Sequence, residues 1–234
     1  MNTNKINILS LNFDIPLFPR QIKSFASQII KNVDLNKSKF VSSGIDLNVF
    51  HNRDNNNSSI YRYPLIQYQI ANRKASIMGI NQGAAALQVL LDYRPQFVNI
   101  EGVNYPFVLN EKISENSVLN LDKQLFSFRM FKWLPLNSDN YHKWQSCSTL
   151  IEKVELLNKC LFGHIMFFLK NMDSTIDKNE LIVFLTNIDK KSKIKDYNVE
   201  KIAFDVTFDC NINLPSLICL GQSSAFGFGK IRPL

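Results

Sequence analysis

Only three histidines occur in this 234-residue chain, and His51 is the one set in a polar loop, "FHNRDNNNSS". An imidazole titrates near neutrality, so it can take up and return a proton at working pH. Arg53 and Arg62 place positive charge close by in sequence, and Tyr61 adds a phenol. Such a set suits proton transfer around a group that becomes anionic as it reacts. His142 in "NYHKW" reads as a surface residue, and His164 in "FGHIM" as a core or helix-lining one. The chain has no paired carboxylates, no Ser-His-Asp order and no H-E-x-x-H, so an enzyme reading is one that works without a bound metal. Cys160 and His164 lie one helical turn apart, but two ligands without a second pair do not complete a metal site. The four cysteines form no C-x-x-C pair and have apolar flanks, which predicts reduced, buried thiols. No cofactor is called for.

The last fifteen residues, "LGQSSAFGFGKIRPL", hold Gly221, Gly227 and Gly229 followed by Lys230 and Arg232. A nucleotide-binding P-loop is disfavoured, because Phe226 stands five residues after Gly221, Ile231 follows Lys230, and the given chain has no room for a following helix. The G-x-G-x-x-G pattern fails too, since Arg232 occupies its last position. Two readings remain open. Glycines let backbone N–H groups come close to a phosphate, with Phe226 and Phe228 as stacking faces or core anchors; equally, they serve a glycine-containing hairpin.

The net charge is +7, which favours an anionic partner such as a nucleic acid or a membrane surface. A Lys- and Asn-rich composition alone would give the same sign, so placement matters more. Arg53, Arg62, Arg73 and Lys74 gather around the histidine motif, and Lys230 and Arg232 around the glycines. The run "DKKSKIKDYNVEK" reads as a solvated loop within reach of a phosphate backbone. Apolar runs such as "LFGHIMFFL" fall short of the roughly 20 residues a membrane span needs. The first residues lack the pattern of a secretory signal, so a cytoplasmic protein is expected.

The elements that must position these residues follow from periodicity. "KINILSLNFDI" alternates like a strand, and Pro19 marks a helix start. "RQIKSFASQIIKN" places Ile22, Phe25, Ala26, Ile29 and Ile30 on one helical face. "IYRYPLIQYQI" and "KASIMGI" read as paired strands joined by "ANR", with Tyr61 and Tyr63 on one face and Tyr68 on the other. "NQGAAALQVLLDY" reads as a helix capped by Asn81, and "QFVNIEGVNY" as a further strand. This order, β-α-β-β-α-β, is ferredoxin-like, with both helices on one face of an antiparallel sheet and the other face open. RNA-recognition modules use such a face. In the second half, "VLNEKI" and "KQLFSFRMFKWLPL" read as strands, "STLIEKVELLNKCLFGHIMFFLKNM" as a long helix, and three more strands follow. The expectation is an α+β chain of tandem ferredoxin-like (RRM-like) domains with antiparallel sheets and a C-terminal glycine-rich loop. Residues 1–110 would carry the histidine loop and 111–234 the glycines, with the boundary between 103 and 123.

Three features together resemble the CRISPR-associated endoribonucleases of the RAMP superfamily that cut repeat-containing precursor transcripts into guide RNAs. They are the N-terminal strand, proline break and Arg20-led helix; the histidine loop running into "YRYPLIQYQI" and "IMGINQGAAAL"; and "LGQSSAFGFGKI" near the C-terminus. The resemblance covers roughly residues 5–102 and 199–232. It implies cleavage without metal by attack of a ribose 2′-OH, leaving a 2′,3′-cyclic phosphate and a 5′-OH. His51 would then do acid/base work, Tyr61 supply a second polar group near the 2′-OH or phosphate, and Arg53 stabilise developing charge. Arg20, Arg62, Arg73, Lys74, Gly221, Gly227, Gly229, Lys230 and Arg232 would contact RNA. Arg53 stands where such relatives often carry a second histidine, and Ser223 where a second early glycine is common. The implied partners are CRISPR repeat RNA, as precursor and as mature guide, and other CRISPR-associated subunits, with no membrane. Two other classes predict different behaviour: a catalytically silent RNA-binding subunit of the superfamily would bind repeat RNA and never cut it, and a protein-interaction module would show no RNA preference.

Overall fold

The structure, a computed structural model, describes residues 5–51, 61–196 and 199–234. The chain divides into two compact units: Ile6–Ser117 with Ala225–Gly227, and mainly Val118–Ser224 with Phe228–Leu234.

The N-terminal unit starts with strand β1 (Lys5–Pro16), a 3-10 turn at Pro19–Gln21, helix α1 (Ile22–Leu35) and a short helix α2 (Lys37–Ser42). Pro19 opens the turn as expected, and the Gln21 side chain accepts the Phe18 N–H at 3.1 Å. Strands β2 (Ile66–Ala71) and β3 (Lys74–Ile80) follow, joined by Asn72 and Arg73 with φ of 50° and 62°. Two residues of positive φ make the tight hairpin turn whose twist matches the strands. Helix α3 (Gln82–Asp92), the short hairpin β4 (Phe97–Ile100) and β5 (Val103–Pro106), and strand β6 (Leu109–Val118) complete it.

The sheet order is β2-β3-β1-β6. The segment expected as one strand, "QFVNIEGVNY", instead turns back on itself at Glu101 and Gly102, both of positive φ, and forms a separate two-stranded sheet. Its place beside β1 is taken by β6. The core joins Leu9, Leu11, Phe13 and Ile15 of β1 to Phe25, Ala26, Ile29 and Val33 of α1 and to Ala86, Leu87 and Leu90 of α3. Ile30, expected on this face, is only partly buried against it.

Two glycines set how closely α3 approaches the sheet. A Cβ on Gly83 would overlap the Leu65 carbonyl, and one on Gly79 the Gly83 carbonyl. Asn81 does not cap α3 with its side chain. Its Oδ1 accepts the Asn7 N–H at 2.9 Å, so the group that would cap the helix ties it to β1 instead. The sheet face away from the helices is also not the open surface expected, because Ser10, Gln67, Gln69, Ser76 and Met78 are all buried.

The C-terminal unit consists of β7 (Leu121–Trp133), α4 (Ser138–Ser146), α5 (Leu150–Asn171), β8 (Val183–Asp196), β9 (Val199–Ile212), a 3-10 turn at Ser224–Phe226 whose last two residues count with the other unit, and β10 (Lys230–Pro233). Its sheet order is β10-β7-β9-β8, the same circuit as in the first unit. Thr149 and Glu152 form a capping box at the start of α5. Leu157, Leu161, Ile165 and Phe168 of α5 are buried, as are Phe128, Met130, Phe204, Val206 and Phe208 of the sheet. Met130 and Trp133, three residues apart, are both buried because a bulge at Lys132 (φ 50°) shifts the alternation.

All four cysteines are free thiols. Burial pushes the thiols of Cys160 and Cys210 up to about 11, and that of Cys219 up to about 12. Among the described residues, no helix is long and apolar enough to cross a membrane.

Candidate active site and nucleic-acid interface

His51 sits at the C-terminal end of a single 3-10 turn, Leu47–Phe50, and its N–H reaches the Asn48 carbonyl at 3.3 Å. Asp46 caps this turn by accepting the Asn48 N–H at 2.9 Å. Phe50 is buried edge-on to Phe40, with ring centroids 5.7 Å apart. Its carbonyl accepts the Tyr68 hydroxyl at 3.3 Å. Burial raises the Tyr68 phenol far above its ordinary range, so it stays protonated and remains a donor. The backbone leading into His51 is therefore held by a cap on one side and a buried phenol on the other, while the histidine side chain is half-buried.

Arg53 lies outside the described residues. Tyr61 is 91% exposed and Tyr63 is 2% exposed, although both were expected on one strand face. The reason is local: residues 61–65 are not strand, and β2 begins only after Pro64, at Ile66. Tyr63 points into the interior, where its hydroxyl accepts from Gln67 at 2.8 Å. Arg62 is paired with Asp46 at 3.6 Å, so it leans on the carboxylate that caps the His51 turn. Asp46 was missed by sequence reasoning. Its signal is the Asp-x-Asn spacing in "DLNVF", an Asx-type cap hidden inside a long polar stretch.

The other basic residues of the first unit expected to contact RNA are surface groups. Arg20 is exposed in the 3-10 turn that precedes α1. Arg73 is exposed at the β2–β3 turn, where its carbonyl accepts the Leu17 N–H at 2.9 Å. Lys74 pairs with Asp14 across β1 and β3 at 2.6 Å.

At the C-terminal segment each glycine has a reason within the fold. Gly221 (φ 93°) packs on an indole: a Cβ there would come to 2.9 Å of Trp133 Nε1 and 3.2 Å of His164 Cε1. Trp133 donates to His164 Nδ1 at 3.1 Å, and burial holds the imidazole down to about 4, so His164 is neutral and structural. Gly227 (φ 81°) passes the Tyr68 carbonyl, with room for a Cβ only at 3.3 Å. Gly229 (φ 69°) lies against the Leu220 carbonyl, which a Cβ would overlap. Between them, Phe226 stacks on Tyr68 at 6.5 Å and lies beneath the Lys23 ammonium at 5.5 Å. Lys230 is half-buried, and burial lowers its pKa; Arg232 is exposed.

Comparison with known proteins gives this geometry a setting. A family model described as the Cas6b N-terminal domain matches residues 4–118, and one described as the Cas6b C-terminal domain matches residues 120–234. A solved structure described as Cas6b is similar with a TM-score of 0.79 at 22% identity, covering 98% of this chain and 100% of that one. Another, described as the CRISPR RNA processing endoribonuclease Cas6b, gives 0.69 at 20% identity with the same coverage. Csf5, described as a type IV Cas6 crRNA endonuclease, gives 0.56 at 9% identity, covering 98% of this chain and 99% of its own. These three likenesses show a shared tandem fold. An uncharacterized protein of Methanocaldococcus jannaschii is 25% identical over 145 residues, 62% of this chain and 95% of its own length. With the two domain models of one family meeting end to end along it, this chain belongs to the Cas6b family of CRISPR repeat-processing proteins.

Proposed function

We propose that this protein is an endoribonuclease that cuts CRISPR repeat RNA in precursor transcripts, without a metal ion, by attack of a ribose 2′-OH on the adjacent phosphate. The observation that carries this reading is the match of the whole chain to the Cas6b models, a family with a solved member described as an RNA processing endoribonuclease. The placement of His51, its backbone fixed by Asp46 and Tyr68 in an otherwise polar stretch, supports it. In the reaction the 2′-OH loses its proton as O2′ bonds to phosphorus, and the P–O5′ bond breaks as O5′ gains a proton. The products are a 2′,3′-cyclic phosphate and a 5′-OH. His51 exchanges a proton with one of these oxygens, Tyr61 acts as the second polar group near the 2′-OH or the phosphate, and Arg53 stabilises the charge that develops on the phosphorane. Arg20, Arg62, Arg73, Lys74, Lys230 and Arg232 hold the RNA backbone, and the bare backbone at Gly221, Gly227 and Gly229 lets it come close. Substrate and product are the precursor transcript and the guide RNA, handled in the cytoplasm alongside other CRISPR-associated subunits.

The test is incubation of the protein in excess EDTA with end-labelled repeat RNA, beside the same RNA carrying one 2′-deoxy nucleotide at the cut site. Cleavage of the first, giving a cyclic phosphate, and none of the second is expected. Tight binding with no cut would replace this reading with the silent subunit, a role that Arg53 in place of a second histidine would suit. Absence of any preference for the repeat would overturn it.

A further inference from the structure

Strands β7 and β10 pair so that Arg129 faces Arg232 and Phe131 faces Lys230. Paired residues share a sheet face, and Phe128 and Met130, which alternate with them, are buried. Three cations and one aromatic ring therefore stand together on the face away from the buried core. Both guanidinium groups lie by the ring, Arg129 at 5.3 Å and Arg232 at 5.8 Å from the Phe131 centroid. Arginines directly opposite one another in a ladder repel, so the arrangement needs an offsetting negative charge.

The neighbouring strands supply one for Arg129 only. Its Nε pairs with Asp189 at 3.2 Å, while 45% of its side chain stays exposed. The other carboxylates of this face are engaged elsewhere: Asp205 accepts the Lys132 N–H at 2.7 Å, and Asp209 the Ser127 hydroxyl at 2.7 Å. Among the described residues Arg232 is in no ion pair, and it crowds Lys230 enough to help lower that ammonium's pKa, with burial as the larger cause. Beside the ring on β7 and β10, Arg129 thus has a carboxylate from β8, whereas Arg232 has none among the described residues.

We propose that Arg129, Phe131 and Arg232 form a subsite for an unpaired nucleotide of the bound RNA, its base stacking on the ring and guanidinium planes and its phosphate facing Arg232. The subsite rests on the reading of RNA as the substrate. An unpaired nucleotide fits because the faces of paired bases are covered by their neighbours in a duplex, whereas a ring flanked by guanidinium groups offers a stacking surface indifferent to base identity. A lone phosphate would use the cations and leave the ring without purpose.

The experiment uses the full chain and repeat RNA made uncleavable by a 2′-deoxy nucleotide at the cut site, with affinity measured over a range of salt. Arg232→Gln is expected to weaken binding by about 3- to 10-fold and to lower the salt slope by about one. Phe131→Leu is expected to weaken it by about 5- to 10-fold with the slope unchanged. A fully duplex RNA of equal length should lose nothing with Phe131→Leu. Wild-type affinity and slope in Arg232→Gln would overturn the subsite, and that exposed position tests it even if Phe131→Leu disturbs the sheet. Equal losses on single-stranded and duplex RNA with Phe131→Leu would overturn the stacking of an unpaired base. If the wild-type protein itself shows no preference for repeat RNA, the underlying function fails instead, and the two failures are distinguishable.

Discussion

The two sheets of this molecule have the same strand circuit, β2-β3-β1-β6 and β10-β7-β9-β8, yet they differ at two places. The last crossover of the N-terminal unit contains a helix, α3, seated on the sheet through Gly79 and Gly83. In the C-terminal unit the corresponding connection between β9 and β10 contains no helix longer than one 3-10 turn, and glycines of positive φ thread it instead. The faces differ as well. Away from its helices, the first sheet buries Ser10, Gln67, Gln69 and Ser76, whereas the second exposes Arg129 and Arg232. One circuit can thus be completed by a helix or by bare backbone.

Breaking either crossover should have the largest effect on stability. Gly229→Ala and Gly83→Ala each drive a Cβ into a backbone carbonyl, so each should cost about 3 kcal/mol or more, enough to lose the folded protein or lower Tm by about 6–12 °C. Gly102→Ala, at positive φ but with nothing within 4 Å, should cost only about 1 kcal/mol. Thermal melting of the three variants checks this, and equal losses would show that close approach is not what selects glycine in the crossovers.

The Trp133–His164 contact makes the stability of the C-terminal unit depend on pH. Burial lowers the His164 pKa to about 4, below the value of about 6.5 expected in the unfolded chain. Stability from this group is complete above pH 6.5 and is lost as pH falls towards 4, because only the unfolded chain takes up the proton there. A fully buried ring would lose about 3 kcal/mol across that window; the half-buried one should lose less. Both tryptophans, Trp133 and Trp144, belong to the C-terminal unit, so denaturant unfolding followed by fluorescence reports on that unit. His164→Gln should flatten its response between pH 4 and 6.5.

Smaller effects test the helices. Thr149→Ala removes the oxygen that accepts the Glu152 N–H at 3.2 Å and should cost about 1 kcal/mol. Gly163→Ala, inside α5 with no atom within 4 Å of the added Cβ, should stabilise by about 0.5–1 kcal/mol. Chemical denaturation resolves both signs.

Much of this fold could be read from the chain because its cues are local. Pro19 opening a helical turn, the apolar spacing of Phe25, Ala26 and Ile29, and the alternation in β1 depend on near neighbours. What escaped the sequence depends on distant ones. Asn81 has the residue type of a helix cap, but Asn7, 74 positions away, takes its side chain. The segment 97–106 has the composition of one strand, and only positive φ at Glu101 and Gly102 reveals the hairpin. Within the candidate site, His51 stood out as a polar-loop histidine, while Asp46 and Tyr68, which hold the backbone around it, did not. The three C-terminal glycines were legible as sites of special backbone; their fit to Trp133, Tyr68 and Leu220 was not, because those partners lie far along the chain.

On the proposed function, His51 serves the chemical step and the β7–β10 face serves binding. Single-turnover cleavage of repeat RNA by His51→Ala and Arg232→Gln, at saturating protein and with Kd measured in parallel, tests it most directly. His51→Ala is expected to slow cleavage by about 10²- to 10⁴-fold at unchanged Kd, and Arg232→Gln to weaken Kd while its saturated rate stays at the wild-type value. A His51→Ala protein that cuts at the wild-type rate, or an Arg232→Gln protein that loses rate and keeps its affinity, would contradict it.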